Sequence, residues 1–88
     1  MRKIAGKKYG AQRLRVDDTT FDNCIFEGTI LVFGGGQMPV FRGGEFRGVG
    51  LDFDGPALET IKFLRQFVLL GGGELVNAQF QLADRARH

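Results

Sequence analysis

Three features of the sequence predict a mainly-β fold with one helix, in which two coils of a β-solenoid are capped by a C-terminal α-helix and a final strand. They are an internal repeat at an offset of 20, large apolar residues five apart within it, and one amphipathic segment after it. The repeat sets residues 21–35, FDNCIFEGTILVFGG, against residues 41–55, FRGGEFRGVGLDFDG. Phe21/Phe41, Phe26/Phe46, Gly28/Gly48, Leu31/Leu51, Phe33/Phe53 and Gly35/Gly55 are identical pairs. Self-similarity at a fixed offset is the mark of a repeat architecture.

The spacing inside the repeat argues for corners. Val16, Phe21, Phe26 and Leu31, then Phe41, Phe46 and Leu51, fall five apart. Five residues along a flat strand turn the side chain to the opposite face, because the strand period is two. Five along a helix rotate it by about 140° from the starting face. All these side chains point inward only if the chain bends within each unit.

Beyond the repeat, residues 56–73 read PALETIKFLRQFVLLGGG. Leu58, Ile61, Leu64, Phe67 and Val68 lie on one helical face, Pro56 suits a first turn and the glycines from Gly71 suit a stop. A helix is predicted over 57–70. Residues 74–83 read as a last strand carrying Leu75, Val76, Phe80 and Leu82, with Ala78 two places before Phe80 as in the five-residue unit. The rival arrangement is an α+β antiparallel sheet over residues 19–53 with one packed helix.

Small residues precede most of the apolar centres by two: Thr19, Cys24, Thr29, Gly44 and Val49. In this the segment 16–55 resembles the pentapeptide-repeat family, whose units place a large apolar side chain at the centre and a small one two positions earlier. The resemblance implies a right-handed β-helix in which four units make one square coil of 20 residues, matching the offset here. Gly36 and Pro56 depart from the pattern, standing where a fourth apolar centre belongs, and Pro39 precedes Phe41 by two places. The fourth side is therefore expected to be a loop. Some members of that family mimic a nucleic-acid duplex and bind type II topoisomerases, but those are long and strongly acidic along one face. The resemblance thus implies a way of folding rather than an activity.

Composition narrows the functional classes. The chain has 88 residues, one cysteine (Cys24) and one histidine (His88), so disulfides and a histidine-based metal site cannot staple so small a core. Self-association is the remaining means of stabilisation. One expected solution closes an open end of the solenoid with the helix and pairs the other end with a second copy about a twofold axis. The lone cysteine and the absence of a signal-like or membrane-spanning run predict a cytoplasmic protein with no membrane partner.

Charge is uneven. Arg2, Lys3, Lys7, Lys8, Arg13 and Arg15 fall within residues 1–16, where there is no acid; the rest carries 6 basic and 10 acidic side chains, so 6 − 10 = −4. Residues 1–15 read as a basic arm whose six cations are candidate nucleic-acid contacts, salt-dependent and sequence-independent.

Catalytic constellations are poor: there is no serine, and the only histidine is the last residue. Cys24 reads as a buried thiol, Asp17, Asp18, Asp52 and Asp54 as caps or edge charges, and the glycine runs as corners without the residues of a phosphate cradle. Phe41 to Gly48 interleaves arginine, glycine and aromatics, but the core pattern claims its two phenylalanines. No catalytic residue, metal ligand or cofactor is predicted. Phe33, Phe53, Phe63 and Phe67 are the candidate oligomer or small-ligand surface. The chain reads as a non-enzymatic interaction or accessory module of bacterial or mobile-element type, a homodimer with a protein partner the residues do not name.

Overall fold

The computed structural model describes residues 1–85. The chain runs through β1 (Arg2–Ala5), β2 (Lys8–Tyr9), β3 (Arg13–Arg15), β4 (Thr19–Asp22), β5 (Ile25–Glu27), β6 (Ile30–Phe33), β7 (Val40–Arg42), β8 (Glu45–Arg47) and β9 (Gly50–Phe53). The helices α1 (Gly55–Leu69) and α2 (Gly73–Arg85) follow. It divides into two compact units, Met1–Leu58 and from Glu59 onward.

Three passes of the chain build the first unit, and each pass lays one strand in each of three parallel sheets, ordered β1-β4-β7, β2-β5-β8 and β3-β6-β9. From the second pass to the third the register advances by 20: Phe21 lies beside Phe41, Phe26 beside Phe46 and Leu31 beside Leu51. From the first to the second it advances by 17, with Ile4 beside Phe21, Tyr9 beside Phe26 and Leu14 beside Leu31. The three-residue difference lies in the links. Residues 16–18 join the first two passes, and residues 34–39 join the second to the third.

These findings correct two expectations. Residues 1–15 are not an arm but a complete first pass, so there are three passes rather than two. All strand pairings are parallel, which removes the antiparallel alternative. The five-residue spacing is met as argued: Phe21, Phe26 and Leu31 converge in one core cluster with Tyr9, Val16 and Cys24.

Three columns run through the passes. Tyr9, Phe26 and Phe46 stack face to face at centroid distances of 5.4 and 5.1 Å, and Phe21 stacks on Phe41 at 5.3 Å. Between these columns the rings meet edge to face, Phe21 against Phe26 at 5.3 Å and Phe41 against Phe46 at 5.3 Å. Such geometries suit the ring quadrupoles and add stabilisation beyond area burial. Leu14, Leu31 and Leu51 form the third column. The small inward residues of the second pass, Thr19, Cys24 and Thr29, are buried, and the two hydroxyls are satisfied: that of Thr29 donates to the Gly10 carbonyl at 2.7 Å, and that of Thr19 to the Asp17 carbonyl at 2.9 Å. At the third-pass corner Gly44 has φ +86°, and a Cβ there would overlap the Cys24 carbonyl oxygen, so only glycine fits.

The second unit is helical. α1 ends in a Schellman arrangement: the Gly72 amide donates to the Phe67 carbonyl at 2.6 Å and the Gly71 amide to that of Val68 at 3.1 Å, with Gly71 at φ +90°. Residues 74–83, expected as a final strand, belong instead to α2. Asn77-Ala78-Gln79 and Gln81-Leu82-Ala83 are mostly good helix formers, and Leu75, Val76 and Phe80 suit a helical face as readily as a five-residue unit.

Phe26 is 1% exposed and lies between two rings. Its replacement by alanine removes both stacks at the middle of the core and is expected to cost about 3–5 kcal/mol. Phe46→Ala, at a position 46% exposed, should cost about half of that or less. Urea denaturation followed by far-ultraviolet circular dichroism checks both; equal costs would mean the core is not centred on the second pass.

Candidate functional site

The basic residues of the first pass are engaged along the sheets. Lys3 pairs with Asp22 at 3.5 Å, Lys8 with Glu27 at 3.5 Å and Arg13 with Asp52 at 2.6 Å. Arg15 makes a bidentate pair with Asp54 and lies 3.6 Å from Asp17. The geometry repeats. Lys3 is in register with Thr20 and Lys8 with Ile25, and each reaches the acid two places further along the neighbouring strand. Arg13 and Arg15 reach across the second pass to the third, again two places beyond the residue level with them. Diagonal neighbours of this kind are within reach of long side chains. Lys7 sits over the Tyr9 ring at 5.3 Å. Of the six residues expected to contact phosphate, five therefore stand on strands and Lys7 lies in the corner before β2, and four of the six are held by carboxylates of later passes.

The arginine pairs flank a buried apolar side chain. Val32 faces outward from β6 yet is 3% exposed; Arg15 and Asp52 flank it in register, and the Arg13–Asp52 and Arg15–Asp54 pairs cross on either side. Arg stems cover apolar surface in this way while the guanidinium stays wet. Hydrogen bonding to Asp54 raises the Arg15 pKa, and hydrogen bonding from Arg13 lowers that of Asp52.

Asp17 organises the link that follows. Its carboxylate accepts from the Gly34 amide at 2.9 and 3.1 Å and from the Gly36 amide at 2.9 Å, while that of Asp18 accepts from Gln37 at 2.6 Å. A Cβ on Gly34 would come within 2.6 Å of both the Arg15 guanidinium and the Asp54 carboxylate. The glycine run is thus shaped around an ion-pair network. Partial burial pushes the Asp17 carboxyl up, but the two amide donors and Arg15 outweigh it, and the net pKa lies below the ordinary aspartate value. Among the described residues no group of three His, Cys, Asp or Glu side chains is placed to hold a metal. His88 lies outside the described residues.

Apolar surface is open in two places. At the third pass the column ends are uncovered: Phe41 is 36%, Phe46 46% and Leu51 71% exposed. The opposite end differs, because Tyr9 is only 5% exposed and Ile4 and Leu14 are half-buried. In the helical unit no side chain from Glu59 to Gln81 is buried, and Phe63, Leu69, Leu70, Leu75 and Phe80 are exposed. A groove of about 500 Å³ lies between the two helices, lined by Phe63, Leu64, Phe67, Leu75 and Val76 with Thr60 and Gln79.

The four phenylalanines expected to form one surface fall into two sets. Phe33 and Phe53 are paired in register within the sheets, and Phe63 packs edge to face on Phe67 at 5.1 Å in the helical groove. Sequence reasoning missed Phe41, Phe46 and Leu51 as surface residues, since it assigned them to the core. Among the described residues no helix is long and apolar enough to cross a membrane.

Asp17→Asn weakens three amide contacts to the second link and is expected to lower stability by roughly 1–3 kcal/mol at neutral pH. Because the folded pKa lies below the ordinary 3.8, the carboxylate's contribution is complete well above that value. It is lost as pH falls through the folded pKa. Melting temperature should therefore stay level from neutral pH to about 5 and drop below about 4, with a smaller drop in Asp17→Asn. Thermal melts across that range check this, and an equal drop in the variant would remove Asp17 from the account.

Comparison with protein-family models, with curated proteins and with solved structures finds no match.

Proposed function

We propose that the chain is a non-enzymatic protein-interaction module: a short β-solenoid of pentapeptide type that self-associates and carries a helical pair for a protein partner. The observation that carries this reading is the amount of large apolar surface left open on so small a chain. Phe46 and Leu51 at the third pass, and Phe63, Leu69, Leu70, Leu75 and Phe80 on the helices, are each between 46% and 85% exposed. Open apolar surface of this kind marks interaction sites. A helical unit without one buried side chain from Glu59 to Gln81 has little packing of its own to hold it, and isolated helices of this length are marginal in water.

The electrostatics support contact through apolar surface rather than through phosphate. Lys3, Lys8, Arg13 and Arg15 already face carboxylates of the same chain, so binding a polyanion through them means giving up those pairs. A cytoplasmic location fits the buried, unpaired thiol of Cys24.

Sedimentation equilibrium at micromolar concentration tests the reading. An assembly held by apolar contacts is expected to persist, or strengthen, between about 0.1 and 1 M salt, where surface charge interactions are screened to a few ångströms. A strict monomer at all concentrations would remove self-association. Retention on duplex DNA that collapses with salt would favour the polyanion reading instead.

A further inference from the structure

The self-association reading leaves the interface and its symmetry open, and the edge of the third pass supplies both. We propose that a second copy of this chain docks on the third-pass end about a twofold axis through Phe46, so that the two solenoids meet head to head and growth stops at two; this rests on the self-association proposed above.

The backbone sets the pairing. β7, β8 and β9 are the last strands of their sheets. In β8 the Glu45 amide donates to the Cys24 carbonyl at 3.1 Å, and the Arg47 carbonyl accepts from Gly28 at 2.8 Å. Successive residues of a strand turn their N–H and C=O groups to opposite edges, so those of Phe46 face the free edge. The same alternation holds alongside. The Arg42 carbonyl accepts from Asn23, the Gly50 amide donates to Thr29 and the Asp54 amide to Phe33, which leaves the groups of Phe41 and Leu51 facing outward. The unpaired backbone groups thus belong to the same three residues whose side chains end the columns.

A twofold axis through Phe46, normal to the middle sheet, sets β8 antiparallel to its copy and β7 antiparallel to the partner's β9. Phe46 then opposes the partner's Phe46 and exchanges both backbone bonds with it, the narrow type of antiparallel pair. Because the column residues are five apart, the same axis sets Phe41 opposite the partner's Leu51, and Leu51 opposite the partner's Phe41. One operation satisfies all three edges and covers all three exposed column ends.

Charge specifies this mode. Glu45 and Arg47 flank Phe46 on the outward face and pair with each other within the chain. Across the axis Glu45 lies opposite the partner's Arg47, and Arg47 opposite the partner's Glu45, so the ion pairs are kept and doubled across the seam. Stacking a first pass on a third pass, the head-to-tail alternative, has no such match. The positions that serve Lys3 and Lys8 as Asp22 and Glu27 in the second pass are Arg42 and Arg47 in the third, and Asp52 and Asp54 are taken by the chain's own Arg13 and Arg15. The first-pass end also has its Tyr9 already covered.

Charge reversal tests the assignment by sedimentation equilibrium, with circular dichroism verifying the fold. Glu45→Arg and Arg47→Glu each place like charges across the seam and should raise the dimer Kd by about a hundredfold or more. An equimolar mixture of the two restores every opposite-charge pair and should dimerise within about tenfold of the unaltered chain. A narrow pair holds its Cα atoms about 5.5 Å apart, within disulfide reach, so Phe46→Cys should also form a covalent dimer on mild oxidation while Cys24 stays buried. Single variants that dimerise as tightly as the unaltered chain, a folded mixture that stays monomeric, Phe46→Cys that fails to cross-link, or an unaltered chain that grows beyond two would each overturn the interface while leaving self-association standing. An unaltered chain that is monomeric throughout removes both.

Discussion

Each ring of the second pass lies between a residue of the first and a ring of the third, and none of the three passes has a core without its neighbours. A strand of two to four residues buries nothing by itself. What makes these short strands stable is that parallel register repeats the same inward side chain at the same corner, so that Tyr9, Phe26 and Phe46 fall in one column and Leu14, Leu31 and Leu51 in another. The register depends in turn on corners at which the backbone bends within five residues. Gly44 shows how narrow that demand is, since its place against the Cys24 carbonyl admits no side chain.

The same register distributes the charges. Once Ile4, Tyr9 and Leu14 are set inward, their neighbours Lys3, Lys8, Arg13 and Arg15 must face outward, level with later passes whose outward residues include Asp22, Glu27, Asp52 and Asp54. A segment that is strongly basic as a string of letters becomes one side of a set of ion pairs. Exposed pairs of this kind contribute little singly, so their value lies in alignment and in cover. Arg13 and Arg15 reach over the second pass on either side of Val32, and Asp17 ties the second link to the same network.

How much of this was legible in the sequence depends on which residues carried the signal. The second and third passes were readable because six identical pairs share one offset, and α1 because its apolar face, Pro56 and Gly71 agree. The first pass was hidden for two physical reasons. Its link to the second pass is three residues shorter, so it matches at 17 rather than 20. The positions two before Ile4, Tyr9 and Leu14 are Arg2, Lys7 and Gln12 rather than small residues. The period of five in Ile4, Tyr9 and Leu14 was the available clue, and the density of positive charge obscured it. The α2 segment was misread because Ala78 before Phe80 imitates the unit. Phe41, Phe46 and Leu51 were assigned correctly to columns, yet a column position is buried only if another pass follows, and nothing in a residue's identity says where a stack stops.

That last point gives the two ends of the stack different physical characters. At the first-pass end the chain covers itself: Lys7 lies over Tyr9, and Tyr9 is nearly as buried as the rings of the second pass. At the third-pass end the inward residues are as large as those beneath them, and the corners Gly43, Gly44 and Gly48 carry no side chain to lean across. The edge ends in Phe41, Phe46 and Leu51, with Glu45 and Arg47 on either side of the middle ring. Apolar centres flanked by opposite charges in that order are complementary to their own reversed copy and not to the first pass, and that is the match on which the proposed dimer rests.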